Sequence, residues 1–349
     1  MLWDAAMDSL FPEHRPALVL APMQDITDKP FMEVINGYGG PDYYVTEYFR
    51  VHKDSTLEKK ILRSIDLNTT GKPVFAQMIG QDIQALVRSA RHLMDHPVAG
   101  VDLNLGCPAP TVYRKNAGGG LLRNLAHVDR ILGELRDCIE GRFTVKTRVG
   151  FETHEEFDEI LSVFKKHAID VLTIHGRTVR EQYKTPVHDE LVAQAVQEMS
   201  CPVIANGNVV NVATGRAYHA KTQAAGLMIG RGGIRSPWLF QQLIDGYEGR
   251  EPSVPTRRDL HGYVTKLYHA VAAEAKDYLE SSHVNRMKKY MAYIAQGIDA
   301  EFEYQIRRAK SEQEFFGICD RFMLSNQPLP DAPPVESKLF SGFSKLLDR

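Results

Sequence analysis

A thiol stands at the end of a short alternating run, Val101-Asp-Leu-Asn-Leu-Gly-Cys-Pro108. Apolar residues at 101, 103 and 105 alternate with Asp102 and Asn104, the period of a strand with one apolar and one polar face. Gly106 breaks that strand and Pro108 has no amide hydrogen for further pairing, so Cys107 is presented where the chain turns. A lone cysteine is often only a small buried hydrophobe. Here polar residues at the preceding inward positions, with glycine and proline on either side, describe a reactive group, a proton donor or a nucleophile. The Ala117-Gly-Gly-Gly120 run that follows reads as a mobile loop able to close over a substrate.

Two cations accompany the thiol. In Val145-Lys-Thr-Arg-Val149, Lys146 and Arg148 share one face of a strand. Unpaired buried cations are costly, so the pair implies an anionic or electron-rich partner, or else an internal salt bridge to Asp102 or Asp170. Gln77 and Asn104 offer amides, and His175 a ring, at matching strand ends. Asn206-Gly207-Asn208 and Gly230-Arg231-Gly-Gly233 end two further strands, and Ser236-Pro237 reads as the start of another helix. Amides freed by those glycines, beside a helix start, make a phosphate cradle with Arg231 as counter-charge.

The elements that must hold these groups alternate. Strands are expected at 17–23, 43–47, 73–77, 101–105, 143–149, 170–175, 202–206 and 225–230, with helices near 30–35, 81–94, 127–139, 155–167, 188–199 and 212–220. Eight strands, each trailed by a helix or a connection of suitable length, predict an α/β fold, a (β/α)8 TIM barrel. An open doubly wound sheet is the competitor, but no GxGxxG turn follows the first strand. Apolar residues then recur at helical spacing, Leu260, Val264, Leu267 and Val271, then Val284, Met287, Met291 and Ile294, then Phe315, Ile318 and Phe322. The barrel is therefore followed by a small all-α helical domain. The expected organisation is an N-terminal extension at 1–16, the barrel at 17–250, the helical domain at 256–325 and a proline-containing tail at 326–349, with both ends loosely ordered.

Composition narrows the setting. The 349 residues are 43% apolar, enough for a barrel with an appended domain. Four widely separated cysteines form no CxxC pair, so neither a bound metal nor a disulfide framework is expected. Residues 1–16 carry Asp4, Asp8 and Glu13 in place of a basic start followed by an apolar run, and no stretch is long and apolar enough for a membrane. A cytoplasmic, reduced monomer follows as the expectation. A net charge of −2 means that any nucleic-acid partner must be met by local cations.

Taken together and in order, Ala21-Pro22-Met23, Gln77, Asp102-x-Asn104-x-Gly-Cys107-Pro108, Ala117-Gly-Gly-Gly120, Lys146-x-Arg148, His175-Gly-Arg177-Thr178, Ala205-Asn206-Gly207 and Ile229-Gly230-Arg231-Gly232 resemble the tRNA-dihydrouridine synthase family. The resemblance covers about residues 17–245 and extends more weakly through the helical region. It implies FMN at the barrel mouth: Ala21, Pro22 and Met23 behind the ring, Gln77 and Lys146 at its polar edge and His175 in support. Asn206, Gly207, Asn208, Gly230 and Arg231 would hold the ribityl phosphate. It further implies NADPH as reductant, hydride delivery to carbon 6 of a flipped tRNA uridine, and Cys107 as the acid that protonates carbon 5. Asn104 and Arg148 would meet the uracil. Arg50, Arg114, Lys115 and Arg177 would contact substrate or tRNA, as would Arg286 and Lys288 of the helical domain.

Two positions depart from the family pattern. Asp25 stands where a glycine is usual, beside the flavin, and Asn208 where an acidic residue is usual. Two other functions fit the same residues: a flavin oxidoreductase acting on a small pyrimidine-like molecule, and an RNA-binding module whose barrel has lost catalysis. Intact Cys107, Lys146 and phosphate loops speak against the second. Which uridine would be reduced is left open.

Overall fold

The computed structural model describes residues 10–275, 277–337 and 339. Strands β1 (Ala17–Leu20), β2 (Tyr43–Val45), β3 (Phe49–Arg50), β4 (Val74–Ile79), β5 (Gly100–Leu105), β6 (Phe143–Arg148), β7 (Val171–His175), β8 (Val203–Asn206) and β9 (Gly226–Ile229) pair in parallel. β1 pairs with both β2 and β9, and β2 with β4, so the sheet closes on itself. β3 joins β4 farther along, at Phe49 against Met78, and so continues the stave begun by β2. Eight staves result, and the fold is a (β/α)8 barrel followed by a helical region.

Around the barrel lie α1 (Lys29–Asn36), α2 (Lys59–Asp66), α3 (Ile83–Met94), α4 (Pro110–Tyr113), α5 (Leu125–Cys138), α6 (Phe157–Phe164), α7 (Asp189–Glu198) and α8 (Val212–Thr222). Local chemistry starts several of them: Asp82 accepts from the Ala85 amide, Asn124 from His127, and Asn211 from Thr214. β1, β2 and β9 are apolar runs buried on both faces, whereas β5 and β6 alternate apolar with polar residues. α2 is absent from the sequence expectations.

Near the last staves an additional short helix precedes the one expected from Ser236. Gly230 precedes α9 (Arg231–Arg235), and α10 (Leu239–Tyr247) follows only after Ser236 and Pro237. A Cβ on Gly232 would lie 2.2 Å from the Val209 carbonyl, so glycine is what lets α9 sit against the loop after β8.

The helical region consists of α11 (Arg257–Glu274), α12 (Glu280–Ile294), α13 (Ala300–Ile306) and α14 (Glu312–Met323). It shares one apolar cluster with the barrel. Phe31 of α1 stacks on Tyr290 at 5.7 Å, and the Tyr263 hydroxyl donates to the Ile234 carbonyl at 3.1 Å. Charges lock the same joint. Arg286 pairs with Asp28, which is also 3.1 Å from the Tyr290 hydroxyl, and Lys289 pairs with Asp25 at 3.2 Å.

Neither end is loose over its described residues. Leu10 is buried and Arg15 pairs with Asp42 at 2.7 Å. The tail returns to the barrel because buried cations there need acceptors. Arg235 donates to the Pro330 carbonyl at 3.0 Å and Arg231 to that of Leu339, while Asn211 donates to Asp331 at 2.6 Å. Among the described residues no helix is long and apolar enough to cross a membrane.

Removing one member of a buried ion pair leaves the other charge without its partner. Asp28→Ala is expected to destabilise the protein by about 3 kcal/mol. Asp28→Asn, which keeps an acceptor for Tyr290, is expected to lose less; urea unfolding monitored by tyrosine fluorescence measures both.

Candidate active site

Strand pairing brings the chemistry into register. Asn104 lies opposite Lys146, Arg148 opposite His175, and His175 opposite Asn206. All five reach a cavity of about 530 Å³ at the mouth, together with Cys107, Ala21, Pro22, Met23, Gly207, Gly230 and Arg231.

Beneath the cavity runs a chain of buried hydrogen bonds. Thr144 Oγ1 donates to Asp102 at 2.5 Å, Gln77 Nε2 donates to the other Asp102 oxygen at 2.7 Å, and Asn104 Nδ2 donates to Gln77 Oε1 at 2.8 Å. Asn104 Oδ1 then accepts from the amides of Gly106 and Cys107 at 3.0 and 2.9 Å. The strand end that carries the thiol is thus pinned by a side chain of its own strand. Burial pushes the Asp102 carboxyl up to about 6, against the hydrogen bonds from Thr144 and Gln77. Gln77, expected at the polar edge of a ring, is engaged in this chain and does not reach the cavity wall.

The expected mobile glycine loop is a wedge. Gly118 to Gly120 are buried in a 3₁₀ turn, Gly119 N–H donates to the Cys107 carbonyl at 3.2 Å, and Gly118 holds φ at +54°. A Cβ on Gly118 would lie 3.0 Å from that of Cys107, so these glycines allow close packing under the thiol. Burial pushes the Cys107 thiol up, which keeps it protonated at neutral pH.

The cations are arranged differently from one another. Lys146 Nζ donates to Asn206 Oδ1 at 3.1 Å, and burial, with Arg148 nearby, lowers its ammonium to about 8. Arg148 makes no salt bridge with Asp102 or Asp170. It donates to the carbonyls of Gly106, Thr178 and Gln182 at 2.8 to 2.9 Å, tying the thiol's strand end to the loop after β7. Asp170 instead pairs with Arg136. His175 is buried with Nδ1 lacking a partner, and burial among four arginine and lysine cations holds it well below its ordinary value, hence neutral.

Other expected residues lie off the wall. Arg177 is buried, donates to the Thr185 carbonyl at 2.6 Å and lies 3.5 Å from Asn208 Oδ1, so it braces a loop. Asn208 accepts from Arg231 at 3.1 Å, and a neutral amide suffices for two guanidiniums. Arg50, Arg114 and Lys115 are exposed, Arg50 being 3.9 Å from Glu58. Arg286, expected on a tRNA face, instead docks the helical region through Asp28; Lys288 meets Asn285 at 3.3 Å. Asp25 occupies φ +62°, the backbone region where glycine is unstrained and aspartate tolerated.

The wall residues that sequence reasoning missed include Tyr48, Gln24, Tyr183 and, from the helical region, Tyr293. Tyr183 is a hub: the Arg231 and Arg148 guanidiniums stand 4.5 and 5.3 Å from its ring centre. Its loop has no periodicity to announce it. Tyr48 adjoins Arg50 in Thr46-Glu-Tyr-Phe-Arg50, a signal that was available.

A parallel barrel whose strand ends gather a thiol, an ammonium and guanidiniums around one cavity defines a (β/α)8-barrel enzyme. The chain belongs to the dihydrouridine synthase family, whose model, "Dihydrouridine synthase (Dus)", matches residues 19–326. A probable tRNA-dihydrouridine synthase of Rhodobacter capsulatus is 27% identical over 298 residues, 84% of this chain and 90% of the relative. A tRNA-dihydrouridine(16) synthase of Cupriavidus necator is 29% identical over 318 residues, 87% and 96% of the two chains. Among solved structures, histamine dehydrogenase from Rhizobium sp. 4-9 superposes with TM-score 0.51 at 13% identity. That match covers 75% of this chain and only 51% of the other, and the likeness is one of fold.

Asp102 gives a pH-dependent prediction. Its folded value, about 6, lies above the unfolded 3.8, so the folded state holds the extra proton between them and wild-type stability from this group falls as pH rises through 6. Asp102→Asn carries no such proton. The unfolding free energy of Asp102→Asn relative to wild type is therefore expected to increase from pH 4 to pH 7, measured by urea titration at each pH.

Proposed function

We propose that this chain reduces the C5–C6 double bond of a uridine in tRNA to dihydrouridine, with FMN as bound cofactor, NADPH as reductant and the cytoplasm as its site of action. One observation carries the reading: in a member of the dihydrouridine synthase family, the Cys107 thiol is pinned on the wall of the same cavity that holds Lys146, Arg148 and His175.

The residues of the cavity fit a flavin. Ala21, Pro22 and Met23 offer an apolar surface for a ring system. His175 Nδ1 and Gln24 Oε1 are buried without a protein partner, so polar atoms of a ligand would satisfy them. A Cβ on Gly230 would lie 3.2 Å from Met23 Sδ, and glycine keeps that wall open. Lys146 would bond the ring's polar edge, and Arg231, with Gly207 and Gly230, would hold the phosphate. When bound, the flavin supplies the hydride that carbon 6 receives.

This chain's own residues do the rest. Cys107, protonated at neutral pH, gives its proton to carbon 5 and is left as thiolate near the Arg148 and Lys146 charges, which favour that form. Arg148 acts chiefly as a brace, since its Nε and Nη1 are engaged by carbonyls. Extracting a base costs a few kcal/mol. Exposed Arg50, Arg114 and Lys115 at the mouth, and Lys288 beyond it, would offset that cost through phosphate contacts.

Dihydrouridine mapped by mass spectrometry in tRNA from a strain lacking the protein tests the reading. One position is expected to lose the base and to regain it with wild type only. Purified Cys107→Ala is expected to keep its flavin absorbance while tRNA reduction falls by roughly 10² to 10⁴. Unchanged tRNA in the deletion strain would favour a small pyrimidine substrate instead.

A further inference from the structure

The stave formed by β2 and β3 contains one extra residue. Val45 lies opposite Phe75 and Phe49 opposite Met78, so four steps on this stave match three on β4. Such a bulge re-aims a side chain and is common beside active sites. Thr46 stabilises the kink: its amide donates to the Phe75 carbonyl at 2.9 Å, and its hydroxyl accepts from the Gln77 amide at 3.0 Å. Tyr48 leaves the bulge into the cavity and shares its wall with Cys107, close enough for phenol and thiol to interact electrostatically. Behind it the Arg50 guanidinium stands 5.3 Å from the ring centre.

We propose that Tyr48 is a positioning residue for Cys107, its phenol orienting the thiol and donating a hydrogen bond to the thiolate that proton transfer leaves behind. This rests on Cys107 being the acid in the reaction proposed above. In that step the Cys107 S–H bond breaks and a C5–H bond forms, while hydride adds at carbon 6. The sulfur keeps the electron pair, and water returns a proton to it as product leaves. Tyr48 keeps its own proton throughout. Burial raises its phenol to about 12, so it serves as a donor and not as a base. The groups facing Cys107 are Tyr48 from the bulge and Lys146 and Arg148 from β6, with the Ala109 amide from its own loop. Of these, Arg148 is engaged by carbonyls and Lys146 by Asn206, which leaves the phenol as the neutral donor on the wall that carries the sulfur.

Tyr48→Phe removes only the hydroxyl. The rate of Cys107 alkylation by iodoacetamide, followed against pH by peptide mass spectrometry on the flavin-loaded enzyme without tRNA, reads the thiol directly. Its midpoint is expected to rise by about one pH unit, the size of a lost hydrogen bond to a charged group. Dihydrouridine formation in a single turnover is expected to fall roughly tenfold, with KM for tRNA unchanged within twofold. An unmoved alkylation midpoint, with the thermal midpoint retained, would overturn the proposal. A raised midpoint in an enzyme whose wild type leaves tRNA unreduced would keep the Tyr48–Cys107 contact and overturn the acid role that it serves.

Discussion

The Asn104 carboxamide holds the end of β5 with three hydrogen bonds, two accepted from the Gly106 and Cys107 amides and one donated to Gln77. Strand amides at a stave's end have lost their ladder partner, and a buried one left unpaired costs roughly 1 to 3 kcal/mol. Asn104 therefore decides where the chain turns and where the thiol points. Behind it, Gln77 and Thr144 both donate to Asp102, so the orientation of the Asn104 amide is fixed, through Gln77, by a carboxylate two residues back on the same strand. A network of this kind is useful only when complete, because each member is the next one's sole way of avoiding an unsatisfied group.

Positive charge at the mouth is handled by carbonyls in place of carboxylates. Arg148 and Arg177 donate to backbone oxygens, and Arg231 to the Leu339 carbonyl and the Asn208 amide. Carbonyls satisfy donors without cancelling charge, so the cavity stays electropositive. That field would suit the phosphate-bearing cofactor and the transient thiolate proposed above. His175 stays neutral within it, able to meet a ligand atom without adding a further charge.

The helical region is fastened to the loop after β1, the same loop that lines the cavity. Asp25 and Asp28 take Lys289 and Arg286, and Tyr290 reaches the Ile26 carbonyl at 3.0 Å. Helical region and catalytic mouth are thereby held as one piece, the arrangement that the proposed extraction of a base from tRNA would require if grip on the polynucleotide is to act at the base. The tail serves the same joint from the far side, since Arg235 bridges the Gln296 and Pro330 carbonyls at 3.0 Å each.

Period-two alternation and strand-end glycines were enough for the staves, and the spacing of Asn104, Cys107, Lys146, Arg148, His175 and Asn206 was enough to gather them at one rim. Those signals are local: parity along a strand fixes which side chains face inward, whatever the neighbours are. Partners were not legible, because they depend on which residues from distant segments arrive opposite one another. Gln77 faces Asp102 and not the cavity; Arg286 meets Asp28 across 258 positions of sequence. The glycine run at 118–120 reads as freedom along the chain and becomes a tight contact once Cys107 packs on it. Nor could the bulge that turns Tyr48 toward the thiol be read from one strand, since an extra residue exists only relative to the stave beside it. The sequence by itself determined the barrel, its inward-facing groups and the thiol's place at a strand end. Only the tertiary structure decided which of those groups touch each other, because hydrogen-bond partnership and burial are properties of pairs brought together by closure of the sheet.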